Sequence, residues 1–553
     1  MTNDGQADSA ADSVSGSDVS RRGYLRTAAG AAAVSTGVGT FAGSAAANPI
    51  TAENRKDGDD DWYPSLPIRS RPERMTHRVE GYTSQTSVAP GETVEFHVST
   101  DPAAPYRVDV YRLGWYDGDG GRLIASLSES EGEARPVPEP GPLGKVEAGW
   151  PVTDTVETTR RWPSGLYFAK FVLTGGENEG DSTAQAFAVR PREDRERTAK
   201  LLVQLPNATS EAYNGWGGKS LYGFTSNDED TANGTDSADV VSFDRPRQTP
   251  DLHMSYAIHM LRFLEREGYD VAYVMDDDVH RNPGMLREHE LVVSSGHDEY
   301  WSMEQRDGFA AARDAGTNVA FLAANTALWQ IRYEDDGRTI VGYKENVEDD
   351  PLAGTQDETD LFRSLPDPRP ECELLGVMGT GAGLYAAPNY TVVADALDHP
   401  WMHDTGFEAG DEVIGCIGHE WDFVHEGCDV PGDLTSFFHY EAGTSDTDRL
   451  PFAPVSDQDA DAVSYQTPGG GYVFASGSLG YNWRLDPDPT WASEIWPLVR
   501  IKEYKPAVLT PDERLQAFTR NVLDDLRKPN PPGRERDRRR GRGRRRGRDS
   551  ADR

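Results

Sequence analysis

Five chemically versatile side chains follow a single glycine at Gly296-His297-Asp298-Glu299-Tyr300-Trp301, directly after the apolar run Leu291-Val292-Val293-Ser294-Ser295. An imidazole, two carboxyls and a phenol suit proton transfer or the binding of a hard cation better than they suit a plain turn. Similar clusters are Pro206-Asn207-Ala208-Thr209 with Tyr213-Asn214-Gly215-Trp216-Gly217-Gly218 behind it, Ala324-Asn325-Thr326, Gly418-His419-Glu420-Trp421-Asp422, and the group Ser478, Tyr481 and Asn482. Most of these sit where an apolar strand ends. Ligands of open α/β sheets bind beyond the carboxyl ends of the strands, so the clusters are expected to line one crevice. Plainer uses exist. His297 and Asp298 would cap a helix starting near Ser302, and His419 would satisfy a backbone carbonyl.

Several chemistries are excluded or weakened by spacing. No Gly-x-Ser-x-Gly elbow or cysteine equivalent stands at a strand-to-helix turn. No Walker loop, His-Glu-x-x-His or EF-hand spacing occurs. Gly379-Thr380-Gly381-Ala382-Gly383 resembles part of a dinucleotide fingerprint but lies outside a first βαβ unit, where loop flexibility is the simpler reading. Asp276-Asp277-Asp278 would bind a cation, yet acid runs are the background of this composition. The three cysteines, Cys372, Cys416 and Cys428, contain no Cys-x-x-Cys pair, which removes a zinc knuckle. In an oxidising compartment Cys416 and Cys428 are the expected pair by proximity, with three buried thiols as the alternative.

The elements that must position these clusters fall into blocks. Residues 48–75 are polar and proline-bearing and read as a linker. Residues 76–192 alternate apolar and polar positions (Val94, Phe96, Val98; Tyr106, Val108, Val110; Tyr167, Ala169, Phe171; Ala184, Ala186, Ala188) between turn clusters, which predicts an immunoglobulin-like β-sandwich. After the charged stretch 192–197 the period changes. Buried strands are expected at 201–205, 271–275, 291–295, 318–323 and 472–477, with helices over 255–267 and 302–315, the second capped by Ser302. Alternating β and α with uninterrupted apolar strands predicts an α/β domain over 198–506 built on a parallel sheet covered on both faces. Residues 335–415 read as a long insertion, and a C-terminal helix is expected within 507–530.

The chain has 553 residues and a formal net charge of -37, with 93 acidic against 56 basic residues and only 9 Lys. Such a surface is suited to multimolar salt, where the Debye length falls to about 3 Å and carboxylate self-repulsion is screened. The body is too acidic for nucleic acid. Residues 531–553 run the other way, with eleven Arg and four acids, and read as a disordered tail that would contact an acidic envelope. Ser20-Arg21-Arg22-Gly23-Tyr24-Leu25, a mildly apolar stretch and Ala45-Ala46-Ala47 form a twin-arginine export signal over residues 1–47. The expected location is outside the cell, secreted or surface-associated, after export in the folded state.

Five segments carry a resemblance to a known family: Tyr111-Arg112-Leu113-Gly114-Trp115-Tyr116-Asp117-Gly118-Asp119-Gly120-Gly121, Tyr213 to Tyr222, Ser295 to Ser302, Ala323 to Trp329, and Gly418 to Asp422. In order and content they resemble the large (β) subunit of N,N-dimethylformamidase, over roughly residues 80–500, here as a haloarchaeal, exported member. The resemblance implies a β-sandwich followed by a domain like the class I glutamine amidotransferases, without that family's cysteine nucleophile. It implies a mononuclear Fe(III) held by two tyrosines and a glutamate, and hydrolysis of a small amide. Carried over, Tyr300 and Glu420 are ligands, and Tyr256 is the second tyrosine with Tyr213 as its competitor. His297, Glu299 and His419 are then the proton-transfer candidates, and Asn207, Asn325 and Asn482 the substrate-facing ones. A small partner subunit, or a homo-oligomer, is also implied.

The chemistry of such a site stands on elementary grounds. Two phenolates and a carboxylate neutralise a trivalent hard cation that prefers oxygen. Metal binding ionises phenols whose free pKa is about 10. Two other readings fit the same residues. One is a non-catalytic envelope or carbohydrate-binding protein on the same scaffold. The other is a carboxylate enzyme acting on glycans through Asp298, Glu299 and Glu420.

Overall fold

The computed structural model describes residues 48–66, 76–192, 198–226, 237–247, 250–382, 388–444, 456–488 and 510–529. The twin-arginine segment, residues 67–75 of the expected linker, residues 193–197 and the Arg-rich tail lie outside them. The described part of the expected linker is packed, not extended: Ile50 and Trp62 are both buried in the main core.

Residues 76–192 form two sheets. One joins Val79–Thr83, Thr93–Thr100 and Asp154–Glu157; the other has five strands, including Tyr106–Leu113, Gly165–Leu173 and Ser182–Val189. The period-2 alternation explains how they meet. Val94, Phe96 and Val98 of the first sheet share one apolar core with Val108, Val110, Tyr167, Ala169 and Phe171 of the second. The opposite face of the second sheet, with Tyr111, Leu113, Phe168, Ala184 and Ala186, joins the core of the α/β region. That sheet is therefore buried on both faces. Arg112 crosses this seam to Glu265, at 2.7 Å and 3.0 Å, and both side chains are fully buried. A paired guanidinium and carboxylate in a bidentate fork is the form in which such charges are tolerated away from water.

The α/β region is built on a nine-stranded sheet. Its parallel strands are β1 (Leu201–Leu205), β2 (Val271–Met275), β3 (Leu291–Ser295), β4 (Asn318–Leu322) and β5 (Tyr472–Ala475). They stand in the order β2-β1-β3-β4-β5. Alternate residues feed two cores: Leu201, Val203, Leu291 and Val293 face one, and Leu202 and Val292 the other. Helix α1 (Leu252–Arg266) covers the first face with Ile258, Leu261 and Leu264. Helix α2 (Met303–Asp314) covers the second with Phe309 and Ala312; Ser302 caps it, and Gln305 closes a capping box. Chain order reverses between β1 and β3, which opens a crevice at their carboxyl ends.

Two expectations need correcting. The sheet is mixed: beyond β5 it continues antiparallel through Ala460–Gln466, Thr435–Tyr440, Tyr390–Val392 and Glu412–Val413. The last two come from the segment read as an insertion. Polar residues such as Ser436, His439, Asp461 and Ser464 interrupt these strands and mask their pattern. The disulfide joins Cys372 to Cys428 across 56 residues, whereas Cys416 is a buried free thiol. Cys416 belongs to the apolar core, and the fold brings a more distant cysteine to Cys428.

Glu80 ties the sandwich to the loop after β1. Its carboxyl is buried and accepts from the His77 backbone N–H at 2.9 Å and from Trp216 Nε1 at 3.1 Å. Burial raises its pKa to about 8, more than these donors lower it. A carboxyl raised on folding contributes stability below its unfolded pKa and loses it as pH climbs through the folded value. Thermal denaturation is expected to show stability falling between about pH 5 and about pH 9, with a flatter profile in Glu80→Gln.

Candidate active site

The crevice at the ends of β1, β3 and β4 is organised around one carboxylate. Glu299 is 3% exposed. Its Oε1 accepts from Tyr222 Oη at 2.9 Å and Trp329 Nε1 at 3.1 Å. Its Oε2 accepts from Tyr213 Oη at 3.0 Å, and His297 Nε2 lies 3.5 Å away. Three loops thus tie to one buried anion, as the cost of an unmet buried charge demands. Backbone bonds reinforce the tie: Leu328 and Trp329 N–H donate to the Glu299 carbonyl, and Ala327 N–H to that of Asp298. Gly296, at φ 95°, makes the turn out of β3 where a Cβ would meet the Ala257 nitrogen at 3.1 Å.

His297 connects this centre to the second carboxylate. Its Nε2 is 3.1 Å from Glu420 Oε2, and its Nδ1 is 2.8 Å from Nδ1 of His253. Nε2 is buried and makes no well-aligned hydrogen bond. Burial opposes charge on this imidazole, but Glu420 and Glu299 overcome it and raise its pKa. Burial would raise the Glu420 carboxyl too, yet His297, His419 and His253 bring it down to about 2. The two groups thus favour each other's charged form, the imidazole raised and the carboxyl lowered. His253 is pushed well below the ordinary imidazole value, by burial and then by the charge on His297. His419 is also lowered by burial.

Glu420 is the outermost of these groups, with about 24% of its side chain exposed. Asn325 Nδ2 donates to its Oε2 at 3.0 Å, while the Asn325 backbone N–H donates to Asp422 at 2.8 Å. Asn325 adopts φ 51°, a left-handed conformation uncommon for a residue with a side chain and frequent at functional sites. Gly379 permits this approach, since a Cβ there would fall 2.2 Å from Asn325 Oδ1. Beyond Glu420, His419 Nε2 lies 4.0 Å from Oε1, and His419 Nδ1 is 3.2 Å from Tyr256 Oη.

The structure thus gathers His297, Glu299, Glu420, His419, Tyr256, Asn325 and Tyr213 in one connected cluster. Tyr300 joins it one phenol further on: its hydroxyl donates to Tyr222 Oη at 2.5 Å, and Tyr222 donates to Glu299. Burial raises the pKa of Tyr213, Tyr222, Tyr256 and Tyr300 well above that of a free phenol. Two expected substrate-facing residues are engaged elsewhere. Asn207 pairs with Arg247 at 2.8 Å and with Asp277. Asn482 donates to Leu322 O, Ser295 Oγ and Tyr256 O, which pins β3, β4 and α1 together. Asp298 accepts from Ser294 and Gln204 below the crevice, and burial raises its pKa to about 6. Asp276 to Asp278 are held by local and cross-sheet bonds, including Thr86 to Asp277 and Ser87 to Asp278.

Sequence reasoning missed Tyr222, His253 and Trp329, which the structure joins to this cluster. Tyr222 and Trp329 lie within quoted motifs, so their aromatic-rich spacing was the available signal. His253 sits in the first turn of α1, which begins at Leu252 and not near 255; it is one helical turn before Tyr256 and shares its face.

A family model described as N,N-dimethylformamidase beta subunit-like, C-terminal, matches residues 107–493. Among solved structures, domain 1 of VCBP3 from Branchiostoma floridae is similar at 12% identity over 22% of this chain and 99% of that chain, with a TM-score of 0.14. No curated protein matches this chain.

Tyr222→Phe would leave the Tyr300 hydroxyl without its acceptor and remove one donor from buried Glu299. The expected loss is about 1–3 kcal/mol of folding stability, read by chemical denaturation, with the same fold by circular dichroism.

Proposed function

We propose, on the premise that the chain belongs to the N,N-dimethylformamidase beta subunit-like family, that it is an iron-dependent hydrolase of a small amide. The observation that carries this reading is the meeting of Glu420, the His297 imidazole and several phenols at the crevice between β1 and β3.

Hard oxygen donors fit a ferric ion, and the donor set here is of that kind. Glu420 and Tyr256 flank the same imidazole, His419. Tyr300 and Glu420 would hold such an ion, with Tyr256, or Tyr213 in its place, as the second phenol. When bound, such an ion supplies Lewis acidity that polarises the amide carbonyl and acidifies a water.

The chain's own residues supply the rest. His297 carries its proton between two carboxylates and delivers it to the departing amine nitrogen. His419, held neutral by burial, takes up the proton of the attacking water. Asn325 fixes the Glu420 carboxylate through Nδ2. Glu299 is saturated with donors and orients His297; it does not abstract a proton.

The same reading takes the N-terminal sheets as an immunoglobulin-like module and the α/β part as amidotransferase-like in layout. It takes the chain as exported folded by the twin-arginine route, and as acting with a small partner subunit or as a homo-oligomer.

Purified protein is expected to contain close to one iron per chain and to release amine from small formamides. Glu420→Gln is expected to lower both iron content and turnover, the latter by about 100-fold or more. Iron-replete protein inactive on a panel of small amides, or metal-free protein that instead binds a glycan or envelope component, would overturn the reading in favour of a non-catalytic scaffold.

A further inference from the structure

We propose that Lys344 is a positioning residue for this site, a buried ammonium that clamps the phenol chain Tyr300–Tyr222–Glu299 through the ring faces. The inference rests on the proposed function only for which reaction is being positioned.

Lys344 is 3% exposed. Its Nζ lies 3.3 Å from the centre of the Tyr222 ring, 5.1 Å from that of Trp329 and 5.7 Å from that of Tyr300. It donates one hydrogen bond, to the Leu221 carbonyl at 3.2 Å. Lysine is among the residues most costly to bury without a partner. This one also sits at φ 56°, in the left-handed region that favours glycine. Both features oppose a lysine here unless its charge has a use.

What the ammonium faces supplies that use. Tyr222 and Trp329 present ring faces to Lys344 and send their polar hydrogens to the same oxygen, Glu299 Oε1. The two rings are therefore gripped between a cation and an anion. Cation–π attraction acts on the faces, and charge-assisted hydrogen bonds act on the edges. Tyr300 is held in turn because its hydroxyl donates to Tyr222. Burial lowers the Lys344 pKa to about 8, against the pull of the exposed Glu345 of its own segment and of Glu299. The segment itself is fixed by Lys344 N–H to Thr359 O and Tyr343 N–H to Thr359 Oγ1.

Lys344→Met keeps the length of the stem and removes the charge. The expected result is a thermal midpoint equal to or above that of the parent, since a desolvated charge is gone. With it, kcat falls about tenfold while KM stays within about twofold. Lys344→Arg, which retains the charge, is expected to recover part of kcat. In metal-free protein the near-ultraviolet circular dichroism of Lys344→Met is expected to weaken, because the tyrosine and tryptophan rings lose their fixed setting. Should Lys344→Met not fold, Lys344→Gln, which keeps a donor for Leu221 O, is read in the same way.

An unchanged near-ultraviolet spectrum, or a kcat loss that only follows loss of folded protein, overturns the inference. If the parent protein hydrolyses no amide, the proposed function has failed, and the metal-free spectra alone decide the role of Lys344.

Discussion

A buried carboxylate must be answered by donors, and here the answer organises the whole crevice. Glu299 stands at the end of β3 with almost no access to water, so its charge is tolerable only if hydrogen bonds replace hydration. The donors come from the loop after β1 and the loop after β4, and His297 of the loop after β3 stands 3.5 Å away. Three stretches of chain that are far apart in sequence are cross-tied at one point. The parallel sheet sets the ends of its strands side by side; Glu299 converts that neighbourhood into a fixed constellation.

The tie also sets the charges. Glu420 in front and Glu299 behind raise the His297 pKa against burial, while burial raises that of Glu299 itself. His297 in turn lowers the carboxyl of Glu420 at its partly exposed position. For His253 and His419 burial outweighs the pull of Glu420, and both imidazoles are lowered. One imidazole raised in pKa between two carboxylates, with imidazoles lowered in pKa beside it, is an arrangement in which protons can move a short way in a defined direction.

The parallel half of the sheet was legible because its strands are continuous apolar runs, and burial on both faces demands that pattern. The Ser302 cap was legible for a similar reason: Ser302 and Gln305 have the spacing of a capping box. The antiparallel half was hidden because Ser436, His439, Asp461 and Ser464 break the alternation in a chain already crowded with acids. The disulfide was misplaced because proximity in sequence is no guide when a sheet brings residues 56 apart together. Within the site, Tyr300 and Glu420 stood out by motif. Tyr222 and Lys344 did not, because a cation over a ring is a tertiary contact with no period and no spacing. Asn207 and Asn482 look like ligand-binding residues in sequence, and in the fold the Asn207 oxygen and the Asn482 nitrogen are bonded within the frame.

The central claim is that the phenol and carboxylate oxygens beside His297 form the seat of a ferric ion. Anomalous diffraction at the iron absorption edge, from crystals of active protein, tests it most directly. The account predicts one strong peak bounded by the Glu420 carboxylate, the Tyr300 hydroxyl and a second phenol from Tyr256 or Tyr213. Active crystals with no peak there, or with iron bound elsewhere on the chain, would contradict it.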